Sequence, residues 1–219
     1  MTSGNETLRT ELAAAAARLI AEEGCDYGQA KRRALQELLG QSASRGPMPD
    51  NAEIEHELRR HLKLFAAESH PALLAALRRT AAAVMAHLAD FNPHLVGAVL
   101  GGTATEHSDI ELHLFTDSAK DVEVHLMDSG IEFEAEGTDD RVRPLPLERL
   151  TFVLPAREPG LPPTLRRIGV RLHVYDHDAI RVAPRHRALA TSEFDVHPIA
   201  AGGRASLAAL RKLIEDSES

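Results

Sequence analysis

Residues 95–115, LVGAVLGGTATEHSDIELHLF, decide the fold of this chain. They begin with an apolar run at 95–100, pass through Gly101-Gly102, and end in an alternation of polar and apolar residues at 109–115. Because successive side chains of a β-strand point to opposite faces, this alternation predicts a strand with one buried face and one polar face. We therefore expect strands at 95–100 and 109–115 to be neighbours in one sheet, with the glycine pair at the turn end nearest Asp109.

The polar face of the second predicted strand carries Asp109, Glu111 and His113. Two carboxylates that lie two residues apart on a rigid strand are able to bind one hard cation such as Mg²⁺. A solvated edge strand, whose acids only face water, has the same pattern. The pattern therefore predicts a metal site at Asp109 and Glu111, with the edge strand as the open alternative.

This arrangement resembles the signature of the nucleotidyltransferase superfamily with the DNA-polymerase-β-like fold. That signature is a strand, a Gly-Gly or Gly-Ser turn, and then an Asp-hydrophobic-acid-hydrophobic run on the next strand. The resemblance implies that Gly101, Gly102 and Thr103 hold a nucleoside triphosphate. It also implies that Asp109 and Glu111 hold Mg²⁺ or Mn²⁺ and are catalytic.

The resemblance covers roughly residues 75–136 and includes two departures from the family pattern. Only residues 103–108 separate the glycine pair from Asp109, whereas the family has about ten residues there. The second acid is Glu111, where the family most often has Asp. A nucleotidyltransferase-like module that binds or regulates without catalysis is therefore an alternative to an enzyme.

The resembled family also uses a third carboxylate, from a strand beside the one that carries the first two. Glu134, in a strand predicted at 131–136, is the first choice for this catalytic role, because the helix predicted at 118–129 would return the chain beside the first two strands. Glu132 and Asp176 are the other candidates.

The charged residues are distributed unevenly along the chain. Residues 101–140 hold twelve acidic residues and one basic residue, Lys120, whereas residues 141–190 hold ten arginines, no lysine and four acids. An acidic segment followed by an arginine-only segment suits a site that holds Mg²⁺ and polyphosphate together, although charge patterning for solubility gives the same distribution. We expect one or more of Arg166, Arg167 and Arg171 to neutralise the leaving pyrophosphate.

Composition excludes several classes of protein. Aromatic residues make up only 4% of the chain, which argues against a module that stacks single-stranded bases. The one cysteine, Cys25, leaves no disulfide framework, and no Walker-type phosphate-binding motif is present. The polar N-terminus and the lack of a long apolar run predict a cytoplasmic protein without membrane partners.

The predicted organisation is an α+β fold, close to α/β, in which a helical N-terminal region precedes a small mixed sheet flanked by helices. We predict a helical hairpin at 1–40, a linker at 41–49, and a nucleotidyltransferase-like domain at 50–219 that begins with helices. The hairpin carries a basic patch at Lys31, Arg32 and Arg33, which leaves a helical nucleic-acid-associated protein as another alternative.

The function predicted from these observations is Mg²⁺-dependent transfer of a nucleotidyl group from an NTP to an acceptor. The acceptor is a protein, a tRNA or a small molecule, and the sequence does not choose among them.

Overall fold

The structure is a computed structural model, and it describes residues 2–40, 47–137, 144–182, 194 and 196–218. It has an α+β fold with helices and a six-stranded mixed sheet. The chain divides into two compact units, Met1–Pro71 with Thr105–His107, and Ala72–Ala104 with Ser108–Ser219. In the described part of the chain, no helix is both long enough and apolar enough to cross a membrane.

The first unit contains three helices, α1 (Thr2–Glu23), α2 (Tyr27–Leu39) and α3 (Asn51–Phe65). Helix α2 begins directly after Asp26, because the Asp26 carboxylate accepts a hydrogen bond from the Gln29 N–H at 2.8 Å. The three helices share one apolar core, which includes Leu12, Leu19, Ala30, Ala34, Ile54 and Leu58.

The position of α3 differs from the predicted division of the chain, which placed residues 50–71 with the sheet. The apolar stripe of α3 lies in the same core as those of α1 and α2, so the helical unit extends to Pro71. An amphipathic stripe shows that a helix buries one face, but it does not identify the partner. Most of the predicted linker, residues 41–46, lies outside the described residues.

The second unit is built around the sheet. Its strands are β1 (His94–Val96), β2 (Ile110–Phe115), β3 (Glu134–Glu136), β4 (Glu148–Pro155), β5 (Arg167–Tyr175) and β6 (Ala205–Ser206). Its helices are α4 (His70–His87), α5 (Gly97–Gly101), α6 (Ala119–Asp128), α7 (Pro198–Ala201) and α8 (Leu207–Glu218), with 3-10 turns at Ala89–Phe91 and His177–Arg181.

The strand order is β3-β4-β5-β2-β1-β6. Strand β2 runs parallel to β5 and antiparallel to β1, and the other three neighbouring pairs are antiparallel. The apolar face of β2 is fully buried through Ile110, Leu112 and Leu114, as the alternation predicted. The opposite face therefore carries the polar side chains.

The prediction of one strand at 95–100 was wrong. The apolar run forms β1 and then turns at Gly97 into the short helix α5. Gly97 adopts a φ of 69°, a left-handed conformation that interrupts a strand and that glycine adopts without strain. A continuous apolar run indicates that a segment is buried, but it has no spacing of apolar residues that would distinguish a strand from a helix. It therefore does not separate a single strand from a strand followed by a helix.

The predicted position of the 131–136 strand was also wrong. Only Glu134–Glu136 form a strand, β3, which lies at one edge of the sheet and pairs with β4. Strand β5 occupies the place beside β2. Its alternating residues Ile168, Val170, Leu172 and Val174 are buried, whereas all three residues of β3 are exposed. The more apolar segment therefore takes the central position.

Candidate functional site

Asp109 stands directly before β2 and forms an ion pair with β5. The Arg171 guanidinium donates a hydrogen bond to Oδ2 of Asp109 at 2.9 Å, and each side chain is 36% exposed. The Asp109 carboxylate lies over Gly169 of β5, where an added Cβ would come within 2.8 Å of Cγ and closer still to Oδ1. Glycine at 169 therefore makes room for the carboxylate, and an isolated glycine inside a predicted strand was the sequence signal for such a close approach.

Glu111 lies in a different environment from Asp109. Its carboxylate packs against Gly97, where an added Cβ would lie 3.1 Å from Oε2 of Glu111. Burial raises the pKa of Glu111, and the nearby Arg171 guanidinium partly offsets that effect. The two predicted metal ligands are therefore neighbours on one face, and Asp109 is the one that forms an ion pair with Arg171.

A cleft of about 590 Å³ opens beside Asp109. Its walls come from the residues before and within β3, from the middle of β4, and from the first half of β5. Its charged lining residues are Asp109, Glu132, Glu134, Glu136, Arg167 and Arg171. Of the predicted catalytic and phosphate-binding residues, the cleft therefore brings together Asp109, Glu134, Arg167 and Arg171.

Glu134 is on the same face as Glu111 but too far away to share a cation with it. The registers place Glu134 opposite Thr151, Thr151 opposite Arg171, and Arg171 opposite Glu111. Three strand spacings separate the two glutamate backbones by roughly 14 Å. This order of strands does not favour Glu134 as the third carboxylate, because β4 and β5 lie between its strand and β2.

The two alternative acids do not supply the missing carboxylate either. Glu132 precedes edge strand β3 and is exposed. Asp176 follows the last residue of β5 and accepts a hydrogen bond from the Asp178 N–H. Since Gly169 is the β5 residue beside Asp109, Asp176 lies roughly 23 Å further along that strand.

The turn at Gly101, Gly102 and Thr103 is the C-terminal end of α5. The N–H groups of Gly102 and Thr103 both donate to the Ala98 carbonyl, at 2.9 and 3.0 Å. The buried Arg78 guanidinium donates to the carbonyls of the preceding residues 99 and 100. Phosphate binding by a turn requires free N–H groups, so this geometry does not favour the predicted nucleotide-binding role.

The three predicted phosphate-binding arginines have different positions. Arg166 is exposed and is not among the residues that line the cleft. Arg167 is exposed at its rim. Arg171 is deeper and stands opposite Glu111 on β5. A carboxylate at that position would complete a triad, but the chain places a guanidinium there.

A cluster of histidines and aromatic rings occupies the same face beyond Glu111, and of its members the sequence pattern indicated only His113. His113 packs against Tyr175 and His173, with ring centroids 4.8 and 5.5 Å apart. His94 packs against Phe115, which also stacks on Tyr175. Strand alternation in β5 placed His173 and Tyr175 on one face, but only the β2–β5 pairing brings them to His113.

Burial keeps these imidazoles neutral. It lowers the pKa of His113 to about 3, with further lowering by His173, Arg204 and His94. Burial also lowers the pKa of His173 to about 4, with contributions from Arg149 and Arg171. Both histidines are therefore uncharged near neutral pH.

The residues at Asp109 and Glu111 do not fit a two-metal centre. Carboxylates are suitable Mg²⁺ ligands, but Arg171 holds one oxygen of Asp109. Among the residues that the structure describes, no group of three or more His, Cys, Asp and Glu side chains is placed to hold a metal.

The basic patch on α2 in the first unit is partly neutralised by acids. Arg33 donates to both carboxylate oxygens of Glu23, at 2.6 and 3.1 Å. This pairing weakens the case for a nucleic-acid surface at Lys31, Arg32 and Arg33.

Comparisons of the chain with protein-family models, with curated proteins and with solved structures gave no match.

Proposed function

We propose that this protein is a nucleotide-binding module with a nucleotidyltransferase-like sheet that does not transfer nucleotidyl groups. The observation that carries the proposal is the ion pair between Asp109 and Arg171. On each side of β2, the neighbouring strand supplies no carboxylate, because β1 and β5 contain no acidic residue. The resembled chemistry requires an acid at that place.

Nucleotide binding is supported by features that do not need a metal. The cleft beside Asp109 has a volume of about 590 Å³, within the usual range for small-molecule sites. Its lining combines Arg167 and Arg171 with Thr151 and the partly exposed Val153. Guanidinium groups match phosphate oxygens in geometry and charge, and the Val153 side chain offers apolar surface to the rest of a nucleotide.

Nucleotidyl transfer is the second candidate, and one observation favours it. Strand β1 ends at Val96, so the turn that follows the strand is Gly97-Ala98. Ten residues, 99–108, separate this turn from Asp109, which is the spacing that the resembled family has. Counted from the real strand end, the shortened spacing at Gly101-Gly102 no longer argues against the family.

One experiment separates the two candidates. The full chain is incubated with each labelled NTP, with Mg²⁺ or Mn²⁺, and with a cell lysate, and the label is followed in protein, RNA and small-molecule fractions. Nucleotide binding is measured in parallel by equilibrium dialysis. The module predicts bound nucleotide without transferred label.

The same assay is repeated with Asp109→Asn. Label transferred by the wild type and lost in Asp109→Asn would overturn the module and establish the enzyme. Absence of nucleotide binding in the presence and in the absence of metal would reject both candidates.

A further inference from the structure

Arg149 of β4 is a charged residue of the polar face that the proposed function has not used. It stands directly opposite His173 of β5, and Arg171 and Tyr175 lie two residues away from His173 on the same strand. In an antiparallel pair, opposite residues are about 5 Å apart and diagonal ones about 7–8 Å. The side chains of Arg149 and Arg171 therefore reach the same region above β4 and β5.

Both arginines have donor groups without acceptors. The Nε atoms of Arg149 and Arg171 are buried and have no hydrogen-bond partner in the described part of the chain. Buried donors are normally paired, so two neighbouring exceptions need an explanation. A ligand with acceptor oxygens would satisfy both.

Charge points to the same kind of ligand. Arg171 has Asp109 as its partner, but Arg149 forms no ion pair with any described carboxylate, although Glu136 stands opposite it on β3. The two guanidiniums also help to lower the pKa of His173 to about 4, which indicates a positive potential at that ring. The surroundings are therefore arranged for an anion.

The glutamates of the neighbouring cleft do not cancel this potential. Glu132, Glu134 and Glu136 are exposed, so water and salt screen their charges. Arg149 and Arg171 are half-buried, where charge interactions are screened less. The cleft also reaches Arg171, which gives an anion a route to the pair.

We infer that Arg149 and Arg171 form a binding site for a compact phosphate anion that needs no divalent metal. The class of ligand is a phosphoryl or pyrophosphoryl group, either free or at the end of a nucleotide. Guanidinium forks pair with phosphate oxygens through parallel hydrogen bonds. The part of the inference that concerns nucleotides rests on the proposed function. The phosphate site itself does not, because its binding of inorganic pyrophosphate can be measured without a nucleotide.

The test is a calorimetric titration of the full chain with pyrophosphate and with ATP, in EDTA and at low salt. Arg149→Gln is expected to weaken pyrophosphate binding at least about tenfold, because charge-assisted hydrogen bonds are lost. Arg149→Lys keeps the positive charge but lacks the forked guanidinium donors, so its affinity for pyrophosphate should lie between those of the wild type and Arg149→Gln. Arg166→Gln is the matched control, since it removes one exposed charge near the same strand but outside the cleft, and it should bind within about twofold of wild type.

A second measurement uses the wild type alone and does not depend on how well a variant folds. A dianion bound beside His173 should raise its pKa, so its imidazole resonances should titrate at higher pH when pyrophosphate is present. The exposed His177 serves as the internal reference and should not move. Unchanged His173 titration at saturating pyrophosphate would overturn the inference.

The remaining outcomes separate the inference from the proposed function. If ATP binds to wild type and Arg149→Gln equally, the nucleotide-binding function stands and the phosphate site is wrong. If pyrophosphate binds in an Arg149-dependent way and no nucleotide binds, the site stands and the proposed function fails. Pyrophosphate binding that requires Mg²⁺, or that weakens equally in Arg166→Gln, rejects the site.

Discussion

The two ends of the polar face of β2 differ in whether their polar side chains are in an ion pair or buried as neutral groups. At the Asp109 end, a carboxylate that is 36% exposed lies 2.9 Å from the Arg171 guanidinium. At the His113 end, buried imidazoles lose their charge and pack with Tyr175 and Phe115. The same two-residue alternation produced both ends, so solvent access and the facing strand decide whether a polar side chain acts as an ion or as a packing group.

This difference divides the polar face into a partly exposed, charged end and a buried, uncharged end. Charged groups with access to solvent can exchange partners, which a binding site requires. Neutral buried rings contribute apolar area and ring contacts, but they make that region sensitive to acid. The following predictions test this division, beginning with the largest expected effect.

Acid should destabilise the protein through the His113 end. The folded-state pKa values of His113 and His173, about 3 and about 4, lie below the unfolded value of 6.5. The unfolded chain therefore binds more protons than the folded chain from about pH 6.5 down to about pH 4, and the free energy of unfolding falls as pH falls through this window. Between pH 7 and pH 5 the loss is roughly 2 kcal/mol for each histidine.

Urea unfolding at pH 7 and pH 5 measures this loss. In His113→Gln, the decrease in the free energy of unfolding between pH 7 and pH 5 should be about half that of the wild type. This comparison holds even if the substitution changes stability at pH 7. The exposed His177→Gln should behave as wild type. Glu111 acts in the opposite direction, because burial raises its pKa and the folded state takes up its proton more readily. An equal decrease in the free energy of unfolding in wild type and His113→Gln would contradict the assignment of acid sensitivity to the His113 end.

A side chain at position 169 should disturb the Asp109 end. In Gly169→Ala the added methyl group would overlap the Asp109 carboxylate, so Asp109 must move away from Arg171. Overpacking of this kind costs about 1–3 kcal/mol. Thermal unfolding measures the cost, and Gly137→Ala is the control, since nothing lies within 4 Å of its added Cβ. A Gly169→Ala protein as stable as this control would mean that the carboxylate is not held over β5.

Removing the charge of Asp109 should change stability least. The ion pair with Arg171 is partly exposed, and such pairs contribute about 0–1 kcal/mol. In Asp109→Asn we expect a loss of that size, which 1 M salt should reduce because exposed charges are screened. The control is Asp178→Asn, whose pair with Arg181 is longer, at 3.5 Å, and much more exposed. A loss several times larger would show that Asp109 supports the fold and not mainly a site.

The sequence by itself determined the elements with a clear local signal. The alternation at 109–115 fixed β2 and its buried face, because a strand has a period of two and its apolar residues must leave water. Capping residues fixed where helices begin, as Asp26 does for α2 and Ser118 for α6. These patterns depend on interactions between residues a few positions apart, so they are visible without the rest of the chain.

Only the tertiary structure decided which strand lies beside β2. Strand pairing joins residues far apart in sequence, so the sequence patterns favoured Glu134 as neighbour, whereas the pairing supplies Arg171 and Gly169. The same pairing gathers His113, His173 and Tyr175, which no sequence spacing connects. The alternation along each strand set which side chains share a face, and the order of the strands determined which charges meet there, because Coulomb interactions and desolvation depend on distance in space and not on distance along the chain.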